Sequence, residues 1–381
     1  MTEAILLVGG QGTRLRPLTS HTPKPLLPVA GVPFLAHQLA RAAAAGVTRI
    51  VFATSYLAEL FEAEFGDGAG FGLELEYVTE EVALGTGGAI RNAAERLRCA
   101  PDEPVLVFNG DILSGLDIAA LLSNHRASGA DVTLHLKTVA DPRAFGLVPT
   151  DTSGRVVAFL EKPQTPEEIV TDQINAGCYV FTRSVIDRIP ADRVVSVERE
   201  TFPELLSSNA FVQGVVDDSY WLDLGTPAAF VQGSADLVRG IVASPALPGP
   251  TGEALVLPGA RVHPSAVLSG GTVVGAGAEI AEGAVIEGSV VLPGAKVAAR
   301  VSVHASVVGR HAQIGEESSL DAAVVGDGAR IGAGNELSPG LRIACGAVLP
   351  AHSVRTSASP APCAEQSVAF SGVPHASSAA H

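Results

Sequence analysis

The sequence predicts an α/β domain built on a mostly parallel sheet, followed by a parallel β-helix. Short apolar runs alternate with amphipathic stretches as far as about residue 240. Beyond the Pro- and Gly-containing stretch "GIVASPALPGPTG" (residues 240–252), aliphatic residues recur at every sixth position instead. Forty-one glycines in 381 residues supply the tight turns that both halves need.

In the first half, "AILLV" reads as a strand, Pro33 to Ala45 as an amphipathic helix and "RIVFAT" as the next strand. A helix over Leu57–Phe65, the strand "LELEYV", a helix over Thr86–Leu97 and the strand "PVLVFNGD" continue a βαβ series. "DVTLHLKTV" and "RVVAFLEKP" read as later strands of the same sheet. In the second half, Val262, Leu268, Val274, Ile280, Ile286 and Leu292 are six apart. Slips of one residue lead to Val297 and Val303, then to Val308, Ile314 and Leu320, then to Val325, Ile331, Leu337, Ile343 and Leu349. Twelve of the fifteen spacings equal six, the hexapeptide pattern of a triangular coil that sends one aliphatic side chain inward per short strand. The expected organisation is therefore 1–240, a linker over 241–252, a β-helix over 253–350 and a disordered tail over 351–381, rich in Ala, Ser and Pro.

A formal charge of −15 argues against a broad nucleic-acid surface. The four cysteines, Cys99, Cys178, Cys345 and Cys363, have no CxxC or metal-ligand spacing and read as free thiols of a reducing compartment. No signal segment or membrane-length apolar run is present, so a soluble, cytoplasmic protein with no membrane partner is expected.

Against this acidic background, cations gather in "LLVGGQGTRLRPLTSHTPKPLLPV". The P-loop pattern is absent because no lysine follows Gly12, and the dinucleotide pattern fails at Leu15, where its third glycine would stand. What remains is a strand-to-loop junction. There the backbone of Gly9, Gly10, Gly12 and Thr13 can approach nucleotide phosphates, and Arg14 and Lys24 can neutralise them.

This run resembles the nucleotidyltransferases that join a sugar 1-phosphate to a nucleoside triphosphate. "EEVALGTGGAI", "VFNGD", "FGLV", "FLEKP", "INAGCYVF" and "WLDLGTP" follow in the order of that family. The hexapeptide tail is most similar to its mannose-1-phosphate guanylyltransferase (GDP-mannose pyrophosphorylase) branch. The resemblance implies a Rossmann-like domain with a mixed, mostly parallel sheet and a left-handed parallel β-helix. The implied reaction is attack of a sugar-phosphate oxygen on the α-phosphorus of the nucleotide, with pyrophosphate leaving. Such a reaction needs alignment and charge neutralisation rather than an activated side-chain nucleophile. It implies Asp111 and Asp223 as Mg²⁺ ligands, and Arg14 and Lys24 on the triphosphate and leaving pyrophosphate. It also implies Lys162 on the sugar phosphate, and Gly146, Glu161 and Asn175 on the sugar. Glu80 stands where thymidylyl and uridylyl relatives carry an amide. One carboxylate can accept both N1–H and the 2-amino group of guanine, which points to GTP, with Gly85 leaving room for the base. Glu161 and Asn175 also admit plain readings, as a solvated strand residue and a turn residue.

The alternatives are another sugar or cyclitol 1-phosphate, acyl transfer on the β-helix, or a non-catalytic regulatory subunit. Acyl transfer would need a base such as His263, His304 or His311. A regulatory subunit would tend to lose the cations and carboxylates that are all present here. The β-helix is expected to make a homo-oligomer, and its removal from Pro258 onward is expected to harm assembly or stability more than phosphate chemistry.

Overall fold

The computed structural model describes residues 2–55, 57–80, 82–163 and 165–354. The tail expectation falls mainly on 355–381, as does Cys363, outside the described residues.

The first half is a nine-stranded mixed sheet with helices on both faces. Its parallel core consists of β1 (Thr2–Leu7), β2 (Val47–Thr54), β3 (Glu74–Thr79) and β4 (Pro104–Asn109), ordered β4-β1-β2-β3. These strands are apolar because both faces are covered. Ile5, Val51, Val105 and Val107 enter one core, while Ala4, Leu6, Ile50, Phe52, Leu106 and Phe108 enter the other. Helix α1 (Phe34–Ala44) lies between β1 and β2 in the chain, and α2 (Gly85–Ala93) between β3 and β4. Beyond β4 the sheet turns antiparallel: Gln173–Thr182 pairs with β4 on one side and with Val132–Thr138 on the other.

The helix expected from Leu57 starts two residues later, at Glu59. The helix expected over Thr86–Leu97 is α2 followed by one tighter turn, Ala94–Arg96. Of the expected strand "RVVAFLEKP", only Leu160–Glu161 is a strand. The carboxylate of Asp151 accepts from the amides of Ser153 and Arg155, closing a turn there. Val156 then makes a single bridge to Thr150, and Val157 is left 57% exposed.

The second half is three parallel sheets of very short strands, six, six and five strands deep, as in a left-handed β-helix. Successive strands pair Val273 with Val290, Val290 with Val307, and Val307 with Val324, so a coil here has 17 residues. The one-residue slips in the hexapeptide pattern are the shortened corners of these coils. Ala305 and Ala322 occupy those corners at φ 44°, and Gly288 at φ 48°. The interior is lined by Val274, Ile280, Ile286, Val297, Val303, Val308, Ile314, Leu320 and Val325. One expected inward position is different. Val291 points inward, and Leu292 is buried with residues of the first half.

The two halves share that last core, in which Leu15, Leu18, Val29 and Phe34 meet Val273, Val290, Val307 and Val324. Gly271 permits this closeness, because a Cβ there would lie 2.7 Å from the backbone of Ala235. The β-helix thus covers the apolar underside of the glycine-rich loop. Truncation at Pro258 would remove Val273, Val290, Val307 and Val324 from the core they share with Leu15 and Leu18.

Candidate active site

The loop after β1 borders a cleft of about 330 Å³ lined by Gly9, Gly10, Gly12, Thr13, Arg14 and Lys24. Gly12 is left-handed at φ 57°, and a Cβ there would lie 3.0 Å from the Lys24 side chain. At Gly10, φ 139°, an added Cβ would meet open space, so glycine serves the backbone conformation there. Leu15 and Arg16 close the turn by donating to the carbonyls of Gly12 and Thr13. Among the described residues, the amides of Gly9, Gly10, Gln11 and Gly12 donate to no carbonyl of the chain. Such a run of unused N–H groups is a cradle for an anion.

The two carboxylates expected to hold a metal meet across this cleft. Asp111 follows β4, and Asp223 ends the strand Trp221–Asp223, which pairs antiparallel with Ile112–Ser114 and sets Asp223 opposite Ile112. The Lys24 ammonium lies 2.9 Å from Asp111 Oδ2 and 3.5 Å from Asp223 Oδ1, its side chain only 10% exposed. Arg14 approaches Asp223 at 3.8 Å with its guanidinium in solvent. One cation therefore already draws both carboxylates to a common point. A hard divalent ion that keeps water and phosphate oxygens in its remaining positions fits this pair. Among the described residues, no group of three or more His, Cys, Asp or Glu forms a closed metal site.

Four lining residues escaped the sequence reading. Thr86, at the start of α2, accepts from the Val197 amide and donates to Glu198. Asn109 and Gly110 lead into Asp111. Gly225, in the motif "WLDLGTP", leaves room for these side chains, since a Cβ would lie 2.6 Å from Arg14 Nη2 and 2.9 Å from Asp223 Oδ1. The order carboxylate-x-Gly was the signal that could have found it.

Known proteins resemble this chain over both halves. Residues 3–240 match the family model described as nucleotidyl transferase, and residues 250–362 match the one described as GMPPB C-terminal domain. The chain belongs to the nucleotidyl transferase family. It is 61% identical over 287 residues to mannose-1-phosphate guanylyltransferase of Mycobacterium tuberculosis, covering 75% of this chain and 78% of that one. It is 37% identical to the catalytic subunit beta of the Drosophila melanogaster mannose-1-phosphate guanylyltransferase, covering 68% and 71%. Among solved structures, HddC from Yersinia pseudotuberculosis superimposes with a TM-score of 0.53 at 26% identity, covering 61% of this chain and 98% of that one. HddC has also been solved in complex with GMP-PN.

In this nucleotidyltransferase the expected sugar-side residues form a second group. Gly146 and Glu161 face each other in an antiparallel pair, and a Cβ at Gly146 would collide with Glu161 Oε2 at 2.7 Å. Lys162, at φ 50°, holds its ammonium 3.3 Å from Glu161. This group adjoins the first because Phe145 packs edge-on against Trp221, two residues before Asp223. Asn175 has local work. Its Oδ1 accepts from the Gly177 amide and its Nδ2 donates to Tyr179, shaping an irregular stretch of strand.

Gly85 also has a packing reason, since a Cβ there would lie 2.6 Å from the Val195 carbonyl oxygen. Glu80 follows β3, its amide donating to Thr54. Its Oε2 accepts from the Leu84 amide, while Oε1 is buried with no partner among the described residues. Burial raises this carboxyl above its usual range, against the lowering effect of the Leu84 hydrogen bond. Among the described residues, no histidine lines the cleft. His125 and His135 are buried elsewhere and pushed down to about 4, hence neutral near pH 7. Cys99, Cys178 and Cys345 are free thiols, and no helix among the described residues is long and apolar enough to cross a membrane.

Proposed function

We propose that this nucleotidyltransferase moves GMP from GTP to mannose 1-phosphate, giving GDP-mannose and pyrophosphate. The unpaired, buried Oε1 of Glu80 carries the choice of guanosine. A buried carboxylate oxygen without a donor costs stability. N1–H and the 2-amino group of guanine supply donors side by side, whereas uracil and thymine place acceptors beside one donor. The names of the relatives support mannose 1-phosphate as the acceptor.

In this reading the amides of Gly9, Gly10, Gly12 and Thr13 hold the triphosphate, and Arg14 and Lys24 balance charge on the departing pyrophosphate. Lys162 fixes the phosphate of the sugar, and Glu161 and the backbone at Gly146 accept from its hydroxyls. For Asn175 the same role passes through the backbone it shapes, and Gly85 leaves space beside Glu80. The sugar-phosphate oxygen forms a bond to the α-phosphorus as the bond from that phosphorus to the bridging oxygen breaks. Both reactants are anions, so the cations of this chain act by bringing them together and shielding them. Asp111 and Asp223 would hold Mg²⁺, which supplies neutralisation of phosphate charge. Residues 1–240 form the catalytic unit in this proposal, 241–252 the linker and 253–350 the β-helix. The protein is cytoplasmic, and the flat outer faces of the β-helix join copies of the chain.

A matrix of nucleoside triphosphates against sugar 1-phosphates, read by pyrophosphate release, tests the reading. The highest kcat/KM is expected for GTP with mannose 1-phosphate, and faster turnover with dTTP would overturn it. Glu80→Gln is expected to lower kcat/KM for GTP roughly 10- to 100-fold, the worth of a hydrogen-bonded charge, while sparing UTP. The pH dependence has a definite sign. Guanine needs the ionised carboxylate, and burial makes Glu80 protonate at a higher pH than a free side chain. Apparent GTP affinity should therefore fall on acidification, beginning at a higher pH than an unburied glutamate would give, and this component should vanish in Glu80→Gln.

A further inference from the structure

The β-helix face that covers the glycine-rich loop carries one outward column of side chains. Val273, Val290, Val307 and Val324 occupy successive rungs of it and are buried against Leu15, Leu18 and their neighbours. The next rung is Arg342, paired with Val324. It changes character where the opposing surface does, from leucine side chains to open backbone. Arg342 Nη1 donates to the carbonyl of Arg14 at 2.7 Å and to that of Arg16 at 3.0 Å. Two smaller contacts flank it: Cys345 Sγ lies 3.5 Å from the Pro17 carbonyl, and Arg310 Nη1 lies 3.5 Å from Thr22 Oγ1.

We propose that Arg342 is a positioning residue for nucleotide transfer, acting from the β-helix through the backbone of the glycine-rich loop on Arg14. The Arg14 side chain is 67% exposed, and among the described residues its guanidinium has Asp223, at 3.8 Å, as its ion-pair partner and Gly225 beside it, so little besides its backbone fixes its direction. The turn that starts at Gly12, which is left-handed, is closed by bonds from Leu15 and the Thr19 hydroxyl to Gly12, from Arg16 to Thr13 and from Leu18 to Leu15, and among the described residues none of these is accepted by the carbonyls of Arg14 and Arg16. Arg342 bonds the carbonyls at residues 14 and 16 on the outside of that turn. A guanidinium spans two acceptors from one nitrogen in a fixed plane, which an ammonium does less well. The β-helix is in this sense part of the triphosphate cradle, contributing no atom to the substrate.

The inference rests on Arg14 serving the triphosphate, and the experiment separates the two. Full-length wild type, Arg342→Ala, Arg342→Lys, Arg14→Ala and the Arg14→Ala/Arg342→Ala double variant are compared by steady-state kinetics in both substrates and by urea unfolding. Arg342→Ala is expected to lower kcat/KM for the nucleoside triphosphate about tenfold, the worth of a charged hydrogen bond. The KM for the sugar phosphate and the unfolding midpoint should stay near wild type, since the side chain is exposed. Arg342→Lys should recover part of the loss. In the double variant, loss of Arg342 should add nothing to loss of Arg14, because one acts through the other. Additive losses, an equal rise in the sugar-phosphate KM, or wild-type kinetics of Arg342→Ala would each overturn the inference. Wild-type kinetics of Arg14→Ala would overturn both the role of Arg14 and the inference built on it.

Discussion

An Asp111→Asn enzyme is expected to turn over on the order of 10³-fold more slowly than wild type, with its fold intact. Asp111 lies two residues past β4 with a side chain 39% exposed, so the amide can be solvated and the strand undisturbed. What disappears is one of two negative charges converging on the Lys24 ammonium. The remaining carboxylate, Asp223, is then shared between Lys24 and Arg14 and is a poorer divalent-cation ligand. The divalent-ion concentration giving half-maximal rate should rise together with the fall in kcat. A near-wild-type rate with an unchanged metal requirement would remove Asp111 from the chemistry. Both readings are separable from unfolding by circular dichroism of the same samples.

Arg49→Ala is expected to produce the largest loss of stability, about 3–5 kcal/mol, with little effect on the kinetics of the molecules that remain folded. Arg49 is 4% exposed on β2, and its guanidinium meets Glu3 at 3.1 Å, Glu74 at 3.2 Å and the carboxylate of Glu76. Glu3, also 4% exposed, accepts in addition from the amides of Arg98 and Cys99. Those bonds hold its carboxyl below the usual range although burial opposes them. Without Arg49, Glu74 and Glu76 keep Arg98 and Arg96 as partners at the surface, but the buried Glu3 loses its only ion-pair partner among the described residues. The cluster lies at the start of β1, and the glycine-rich loop lies past its other end, so the two effects should separate. The urea midpoint should fall with an unchanged slope. A shift below about 1 kcal/mol would mean that the pair contributes no more than a surface ion pair does.

Much of this architecture could be read directly from residue order. The β-helix was legible because one aliphatic side chain per strand has nowhere else to go, which prints its period on the chain. The parallel strands were legible for a similar reason, being apolar on both faces. Leu292 was misplaced because inward and outward aliphatics look alike in sequence. Only the second partner, the catalytic half, distinguishes Val291 from Leu292. "RVVAFLEKP" has strand composition, yet an Asp151-centred turn limits its pairing to isolated bridges at Arg155 and Val156 before Leu160–Glu161. At the site, residue types exposed the cradle and the two carboxylates, because phosphate chemistry demands cations and oxygen ligands. Gly225, Thr86 and Arg342 were hidden, since each depends on a contact between segments far apart in the chain. Gly85 and Asn175 show the converse, with local packing reasons that no motif displays.

The 17-residue coil makes the β-helix a ruler. Each complete turn advances the stack by one inter-strand step, about 4.8 Å, and restores the same cross-section. An insertion of one whole coil before residue 342 would leave the triangular interior and its hydrogen bonding intact. It would nevertheless carry the arginine at the top of the valine column one step past the carbonyls it now meets. The number of turns, and not only their sequence, is thus tied to the dimensions of the catalytic half, and drift in repeat number is constrained from outside the repeat.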